Sequence, residues 1–167
     1  MAYKFQRNTY PNFIRRRFPS LRPAAILARM DATLLRVYVV EPAAAIRRRV
    51  AALLEPLVGV SVVGESEDHA MAFAGIVSSG ADVAVIELRL PSGSGFELLG
   101  ELARFAPHVT TVILTNLSGP AFRAASRDAG AHYFFDKTTE FELACHTIDA
   151  LAHARRPQPA PERVPSC

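Results

Sequence analysis

Short apolar runs alternate with segments of helical periodicity from Leu35 onward, and this alternation restricts the possible folds more than any other feature of the sequence. Five β-rich apolar runs predict strands at residues 36–40, 60–63, 83–88, 109–115 and 133–135. Five further segments predict helices at residues 43–55, 68–78, 95–104, 120–129 and 139–154. Because short loops join these alternating elements, the sequence predicts a doubly wound α/β domain, a (βα)5 sandwich around a five-stranded parallel sheet.

Apolar residues recur at helical spacing in the first two predicted helices. The first helix has apolar residues on one face at Ile46, Val50, Leu53 and Leu54. The second helix has apolar residues at helical spacing at Ala70, Phe73, Ala74 and Val77.

Basic residues are concentrated at the start of the chain. Residues 1–30 hold seven of the 19 basic residues and no acid, so all 16 acidic residues lie in the remainder. We expect a basic, disordered extension at 1–33, a folded domain at 34–154 and a proline-rich, unstructured tail at 155–167. A basic arm can bind nucleic acid, which leaves that function open. We favour a disordered leader, or a natural start at Met30.

The sequence shows no sign of membrane insertion or secretion. No apolar run approaches the roughly 18 residues that a membrane-spanning helix needs. Residues 1–20 lack the continuous apolar segment of a signal peptide. The two cysteines, Cys145 and Cys167, have neither a disulfide-type nor a metal-type spacing. These features predict a reduced, cytoplasmic protein without a membrane anchor.

Four polar residues lie at or just beyond the ends of predicted strands. Glu41 follows the first strand, Glu87 lies at the end of the third, Thr115 ends the fourth, and Lys137 comes just after the fifth. We expect them to lie together, because the carboxyl ends of parallel strands form the edge where ligands bind. Carboxylates can accept a phosphoryl group and hold a divalent cation, while a hydroxyl and an ammonium can hydrogen-bond phosphoryl oxygens. The set therefore predicts a site that handles phosphoryl groups.

Three segments, in this order, make the chain resemble the response-regulator receiver domain of bacterial two-component signalling. They are DVAVIELRLPSGSGFELL, VILTN and AGAHYFFDKTTEFEL, and the resemblance covers residues 35–154. It implies a flavodoxin-like fold, no enzymatic activity, and a function in phosphorelay signal transduction through protein contacts. Only the proline-rich segment follows the last predicted helix, so we expect a stand-alone receiver module.

The resemblance also implies roles for individual residues. Glu87 matches the phospho-acceptor position, where the family normally has Asp. Thr115 matches the switch hydroxyl, Phe134 the switch aromatic, and Lys137 the invariant lysine. Because Glu87 is longer than Asp, its carboxylate is displaced, and a misplacement of about 1 Å can lower a rate on the order of a hundredfold. The resemblance therefore predicts a degenerate receiver whose acceptor position is inactive.

A magnesium site is implied by the resemblance, but its ligand set is incomplete. Glu41 and Pro42 match the acidic pair after the first strand, and Pro42 has no side-chain oxygen. Glu87 and the backbone carbonyl of Arg89 match the other ligands. Magnesium requires near-octahedral oxygen ligation, so we expect weak binding or none.

Several functional hypotheses follow, and we favour a pseudo-receiver in which the constant charge of Glu87 pairs with Lys137. The alternatives are a receiver that still accepts phosphate on Glu87, a Glu87 that merely faces solvent, and a nucleic-acid-binding protein that acts through its basic arm. An α/β hydrolase is disfavoured because no pair of nucleophile and base is visible.

The resemblance implies a histidine kinase or another signalling protein as the partner. The expected contact face consists of the fourth helix, the fifth strand and the fifth helix, and a homodimer is open. We expect no membrane partner, and nucleic acid is disfavoured.

Overall fold

A parallel five-stranded sheet runs through the centre of the computed structural model, which describes residues 34–155. The strands are β1 (Leu35–Val40), β2 (Val60–Ser66), β3 (Val83–Ile86), β4 (Thr110–Thr115) and β5 (Tyr133–Asp136). The helices are α1 (Ala44–Leu54), α2 (His69–Ser79), α3 (Gly95–Phe105), α4 (Pro120–Asp128) and α5 (Phe141–Arg155). The strand order is β2-β1-β3-β4-β5, and every pairing is parallel. The predicted doubly wound fold is confirmed.

The expected basic extension at 1–33 lies outside the described residues, as does nearly all of the expected proline-rich tail. Within the described part, β2 is three residues longer than predicted and β3 ends two residues earlier. None of the helices in residues 34–155 has both the length and the apolar character needed to cross a membrane.

The core has two layers, one on each face of the sheet. Successive side chains of β3 point to opposite faces of the sheet and so belong to different layers. Val83 and Val85 pack with α1 and α5, whereas Ala84 and Ile86 pack with α2 and α3. All four side chains are buried. A strand that is apolar on both faces belongs in the middle of a parallel sheet, so β3 carries its C-terminal residues to the centre of the sheet edge.

The apolar residues that recur at helical spacing in α1 and α2 are not all buried. In α1, Val50 and Leu54 are buried, but Leu53 is 40% exposed. In α2, the buried residues are Ala72 and Ile76. Of the four α2 residues that the sequence analysis found at helical spacing, Phe73 is half-buried and the other three, Ala70, Ala74 and Val77, are exposed. The reason is that α2 is apolar or small nearly all round, so spacing alone cannot choose its face.

The turn between β3 and α3 brings two stretches of backbone unusually close together. Ser94 begins α3 with a capping box, in which its hydroxyl accepts from the N–H of Glu97 and its own N–H donates to the Glu97 carboxylate. A Cβ on Gly95 would lie 2.5 Å from the carbonyl oxygen of Glu87 and 2.8 Å from Leu88 Cα. Since only glycine fits, Gly95 allows the chain to turn directly after Glu87.

We expect Gly95→Ala to lower the free energy of unfolding by about 1–3 kcal/mol, because the added methyl group meets backbone that cannot move aside without shifting β3. Gly100→Ala is the matched control in the same helix, since a Cβ there meets nothing within 4 Å. It should raise stability by about 0.5–1 kcal/mol through helix propensity. Urea unfolding followed by circular dichroism measures both, and equal effects of the two changes would contradict the close approach at Gly95.

Candidate functional site

The four residues predicted from the strand ends lie together at the carboxyl edge of the sheet. Glu41 follows β1, Glu87 follows β3, Thr115 is the last residue of β4, and Lys137 follows β5. Glu41, Glu87 and Thr115 are 5%, 8% and 0% exposed. Buried polar groups must find partners, so their contacts define what this site can do.

Lys137 lies between the two carboxylates. Its ammonium donates to Glu41 Oε2 and to Glu87 Oε2 in two close contacts. All three side chains are more than nine-tenths buried, at 6%, 7% and 9% exposure for Lys137, Glu41 and Glu87. The sequence-based expectation that Lys137 and Glu87 are paired is met by this geometry. With both carboxylates ionised, the triad carries a net charge of −1.

The remaining carboxylate oxygens also have donors. Glu41 Oε1 accepts from the backbone N–H of Ala43 at 2.9 Å. Glu87 Oε1 accepts from the N–H of Arg89 at 3.0 Å and from the hydroxyl of Thr115 at 2.5 Å. Thr115 Oγ1 in turn accepts from the N–H of Leu117 at 3.1 Å. Each oxygen of both carboxylates therefore has at least one hydrogen-bond donor.

The residues at this site do not fit a magnesium ion. The side chains of the expected set, Glu41 and Glu87, direct their oxygens at Lys137 and at backbone N–H groups. The carbonyl oxygens of Glu41 and Pro42 accept from Arg47 Nη1, at 2.5 and 3.3 Å. Within residues 34–155, no group of three or more acidic, histidine or cysteine residues is arranged to hold a metal. Magnesium needs several free oxygens in octahedral array, and the carboxylate oxygens of Glu41 and Glu87 are already engaged by donors of the chain itself.

Phe134, the expected switch aromatic, lies on β5 and is half-buried against the core layer that contains α2 and α3. The guanidinium of Arg123, on α4, stacks over its ring at 4.7 Å. Arg123 also donates to the carbonyl of Phe134 at 3.2 Å and to Glu140 Oε2 at 2.5 Å. One side chain thus joins α4, β5 and the start of α5. Sequence reasoning missed Arg123, because nothing in its local spacing distinguishes it from a solvated arginine.

The loop that carries Lys137 is held by carboxylates on either side. Asp136 Oδ1 accepts from the N–H groups of Thr138 and Thr139, at 2.7 and 2.9 Å. Hydrogen bonding from Ser118, and then from the Thr139 N–H, lowers the pKa of Asp136 to about 2. The pKa of Glu140 is also lowered, by the Asp136 N–H first and then by Arg123. Both groups are therefore ionised at neutral pH, and the loop is fixed around Lys137.

Comparison with known proteins gives one family. A family model of the response regulator receiver domain matches residues 37–149. The DNA-binding transcriptional activator DevR/DosR of Mycobacterium tuberculosis (strain ATCC 25618 / H37Rv) is 35% identical over 112 residues, which are 66% of this chain and 52% of that protein. The chain thus spans about half the length of the curated relative that it matches.

Solved structures show the same fold. The signal receiver domain of NarL from Mycobacterium tuberculosis has a TM-score of 0.67 at 23% identity, covering 72% of this chain and 97% of that one. A two-component response regulator of the LuxR family from Aurantimonas sp. SI85-9A1 has a TM-score of 0.67 at 25% identity, covering 74% and 88%.

We expect Thr115→Val to lower the free energy of unfolding by about 1–3 kcal/mol, because it leaves the Leu117 N–H without its acceptor and removes a donor from Glu87. Thr110→Val is the matched control, since among the described residues the Thr110 hydroxyl has no hydrogen bond although it lies on the same strand. Its effect should stay within about 0.5 kcal/mol. Chemical denaturation measures both, and a neutral Thr115→Val would show that the hydroxyl is not a structural link.

Proposed function

The chain belongs to the response regulator receiver domain family, and from this membership we propose that it is a degenerate receiver in which Glu87 permanently occupies the acceptor position. Receivers of this family are signalling modules of two-component systems. In this proposal the chain signals through protein contacts, and the constant carboxylate of Glu87 replaces a charge that would otherwise be added by phosphorylation.

The contacts of Glu87 are the observation that supports the proposal. Its carboxylate accepts from the ammonium of Lys137 and from the hydroxyl of Thr115. These are the two donors that would hydrogen-bond phosphoryl oxygens in a receiver, and here a side chain engages both of them. The carboxylate is buried and fully paired, so it is poorly placed to act as a nucleophile toward a phosphodonor.

The imitation of a phosphoryl group is incomplete. Glutamate carries a charge of −1, whereas a phosphoryl group carries about −1.5 to −2 and has three acceptor oxygens. Moving a two-state equilibrium from 1:99 to 99:1 requires about 5.5 kcal/mol of bias. One carboxylate offset by one ammonium supplies less than that. We therefore infer that the receiver populates a mixture of two surface states, with Phe134 inward in the larger fraction.

The proposed contact face consists of α4, β5 and α5. Thr115 links the pocket to this face, since its hydroxyl bonds both Glu87 and the N–H of Leu117, just before α4. Arg123 then joins α4 to Phe134 and to Glu140. Receivers interact with histidine kinases, and we propose a histidine kinase or another signalling protein as the partner, with a homodimer through the same face as a further use.

Replacing Glu87 by Gln tests the proposal, because it removes the charge with almost no change in size. We expect the amide chemical shifts of β5 and α4 to move in Glu87→Gln while the fold stays intact. Glu55→Gln is the control, since Glu55 is an exposed acid at the end of α1. Two-dimensional NMR of the three proteins is the measurement. Spectra of Glu87→Gln that differ from wild type only next to residue 87 would overturn the proposal.

Intact mass after incubation with acetyl phosphate and magnesium separates the degenerate receiver from a phospho-accepting one. Wild type should gain no phosphoryl group. A stable gain that is lost in Glu87→Gln would show that Glu87 is a working acceptor.

DNA binding is a second candidate function, favoured by one comparison and by the charge of the N-terminal segment. The curated relative DevR/DosR is described as DNA-binding, although the match covers only 52% of it. Residues 1–30 of this chain hold seven basic residues and no acid. The sequence alone disfavoured nucleic acid as a partner, and the description of this relative does not support that expectation.

If the basic segment binds DNA, we expect affinity for duplex DNA to fall steeply between low and physiological salt, because phosphate contacts release counterions. It should be lost when residues 1–29 are removed. Fluorescence anisotropy with a labelled duplex measures both effects. Affinity that is independent of salt, or that survives the truncation, would exclude this function for the basic segment.

A further inference from the structure

Apolar residues form a continuous exposed strip along α2. Ala70, Ala74 and Val77 lie on one side of the helix, because residues four and seven positions apart share a face, and all three are exposed. Met71 beside them is 66% exposed, and Val77 is 51% exposed. Ser78 is the only polar residue among the exposed residues of α2. Scattered apolar residues are normal on a protein surface, but a continuous patch marks a contact site.

Helix α3 extends this strip. The ring of Phe73, on α2, packs edge-on against the ring of Phe105, with 6.2 Å between the ring centroids. Phe105 is the last residue of α3 and is 63% exposed. We call the surface formed by these residues the α2–α3 face, and its members are Ala70, Met71, Phe73, Ala74, Val77 and Phe105.

The described part of the chain begins beside one end of this face. Arg36, near the start of β1, donates from its guanidinium to the carbonyl of Ser79, which is the last residue of α2. Val77 lies two residues before Ser79. The chain that precedes residue 34 therefore joins the domain next to the apolar end of the α2–α3 face.

The other end of the face is acidic. Asp68 caps the start of α2, where its carboxylate accepts a backbone hydrogen bond at 3.1 Å. Glu97 and Glu101 lie on α3, and Glu101 Oε2 is 3.3 Å from His69 Nε2, which places these acids beside the start of α2. Together α2, its cap and α3 hold three acids and a single arginine, Arg104. The face therefore complements a segment that is apolar at one end and basic at the other.

Residues 13–29 of the same chain have this composition. They include five arginines and no acid. Their larger apolar side chains are Phe13, Ile14, Phe18, Leu21, Ile26 and Leu27. Counted back from residue 34, the apolar pair at 26–27 comes first and the arginines at 15–17 follow, in the same order as the apolar and acidic ends of the face. An extended chain from residue 15 to residue 33 spans about 60 Å, whereas α2 is about 16 Å long, so the segment can reach both ends.

A second copy of the domain is a poorer occupant of this face. It would bring the acids of one α2–α3 face toward those of the other, and like charges across an interface are unfavourable. The basic segment brings the opposite charge. Because it belongs to the same chain, it also has a high effective concentration at the face.

We propose that residues 13–29 dock on the α2–α3 face of their own chain. Ile26 and Leu27 pack against Val77, and the arginines at 15–17 lie beside the acids at the start of α2 and α3. Arginines engaged in this way are not available to an outside anion, so the contact limits how far the basic segment can act elsewhere. The proposal does not depend on the function of Glu87, and it replaces the expectation of a disordered extension with a defined contact.

Trypsin cleavage of the full chain tests the contact, because trypsin cuts after arginine. Cleavage at Arg15, Arg16 and Arg17 should be at least about tenfold slower in the full chain than in a free peptide of residues 1–30, since the cleavage rate follows the population of the undocked segment. Mass spectrometry measures the rate at each site. A full chain that is cut at these sites as fast as the peptide overturns the proposal.

Substitutions on the face locate the contact. Met71→Ser combined with Val77→Ser should raise the cleavage rate at residues 15–17 at least about threefold, because docking then buries less apolar surface. Leu143→Ser is the matched control, since Leu143 lies on α5 and is 53% exposed, and it should leave the rate unchanged. Equal rates in the double variant and in the control overturn the proposal.

A change in the segment itself gives a second measurement that leaves the folded domain intact. In Ile26→Ser combined with Leu27→Ser, the amide chemical shifts of Ala70, Ala74 and Val77 should move, whereas those of α5 should not. Two-dimensional NMR of the full chain is the measurement, and unchanged shifts along α2 overturn the proposal. Protection from trypsin that increases with protein concentration also overturns it, because such protection assigns the segment to a second copy of the chain.

Discussion

The carboxyl edge of the sheet depends on one interaction, the pairing of the Lys137 ammonium with the carboxylates of Glu41 and Glu87. The ammonium compensates two carboxylates whose side chains are almost fully buried, and each would otherwise be a buried charge without an ionic partner. Glu41 follows β1, Glu87 follows β3 and Lys137 follows β5, so the triad connects strand ends that are not all neighbours in the sheet. Thr115, on the intervening β4, bonds to Glu87 and completes the connection.

This charged centre is linked to the surface by a few specific contacts. Thr115 belongs both to the pocket and to the loop before α4, through Glu87 and through Leu117. Farther along, Arg123 donates to the carbonyls of Ser118 and Phe134 and stacks on the Phe134 ring. The same hydrogen bonds that stabilise the loops thus connect the buried charge to the exposed face of α4 and β5. In the receiver function that we propose, this connection links the pocket to the contact surface.

The fold and the main site residues could be predicted because both follow from regular geometry. Alternating apolar runs predict the strands and helices, and parallel strands bring their C-terminal residues to one edge, which placed Glu41, Glu87, Thr115 and Lys137 together. The buried faces of the helices cannot be identified from apolar spacing in the same way. In α2 almost every residue is apolar or small, so no spacing favours Ala72 and Ile76 over Val77. In α1, Leu53 continues the apolar pattern beyond the width of the buried face.

Arg123 could not be predicted from the sequence for a different reason. Two of its acceptors are backbone carbonyls, and the remaining partners are a ring on β5 and a carboxylate at the start of α5. Phe134 and Glu140 lie 11 and 17 residues away from Arg123 along the chain, so only the tertiary structure brings them to it. Likewise, the resemblance implied that Glu41 and Glu87 could hold a metal, but it could not show that every oxygen of both carboxylates already has a donor.

The hydrogen bonds of Glu87 with Lys137 and Thr115 also bear on how long the charge in this pocket lasts. A phosphoryl group on a receiver is added and removed, so its lifetime is governed by kinases, phosphatases and hydrolysis. A glutamate is present from synthesis and disappears only when the chain is degraded. In the degenerate receiver that we propose, the amount of charged pocket in the cell equals the amount of protein, and it changes only through synthesis and degradation of the chain. Under that proposal, transcription and proteolysis are the steps that determine how strongly and for how long the module acts.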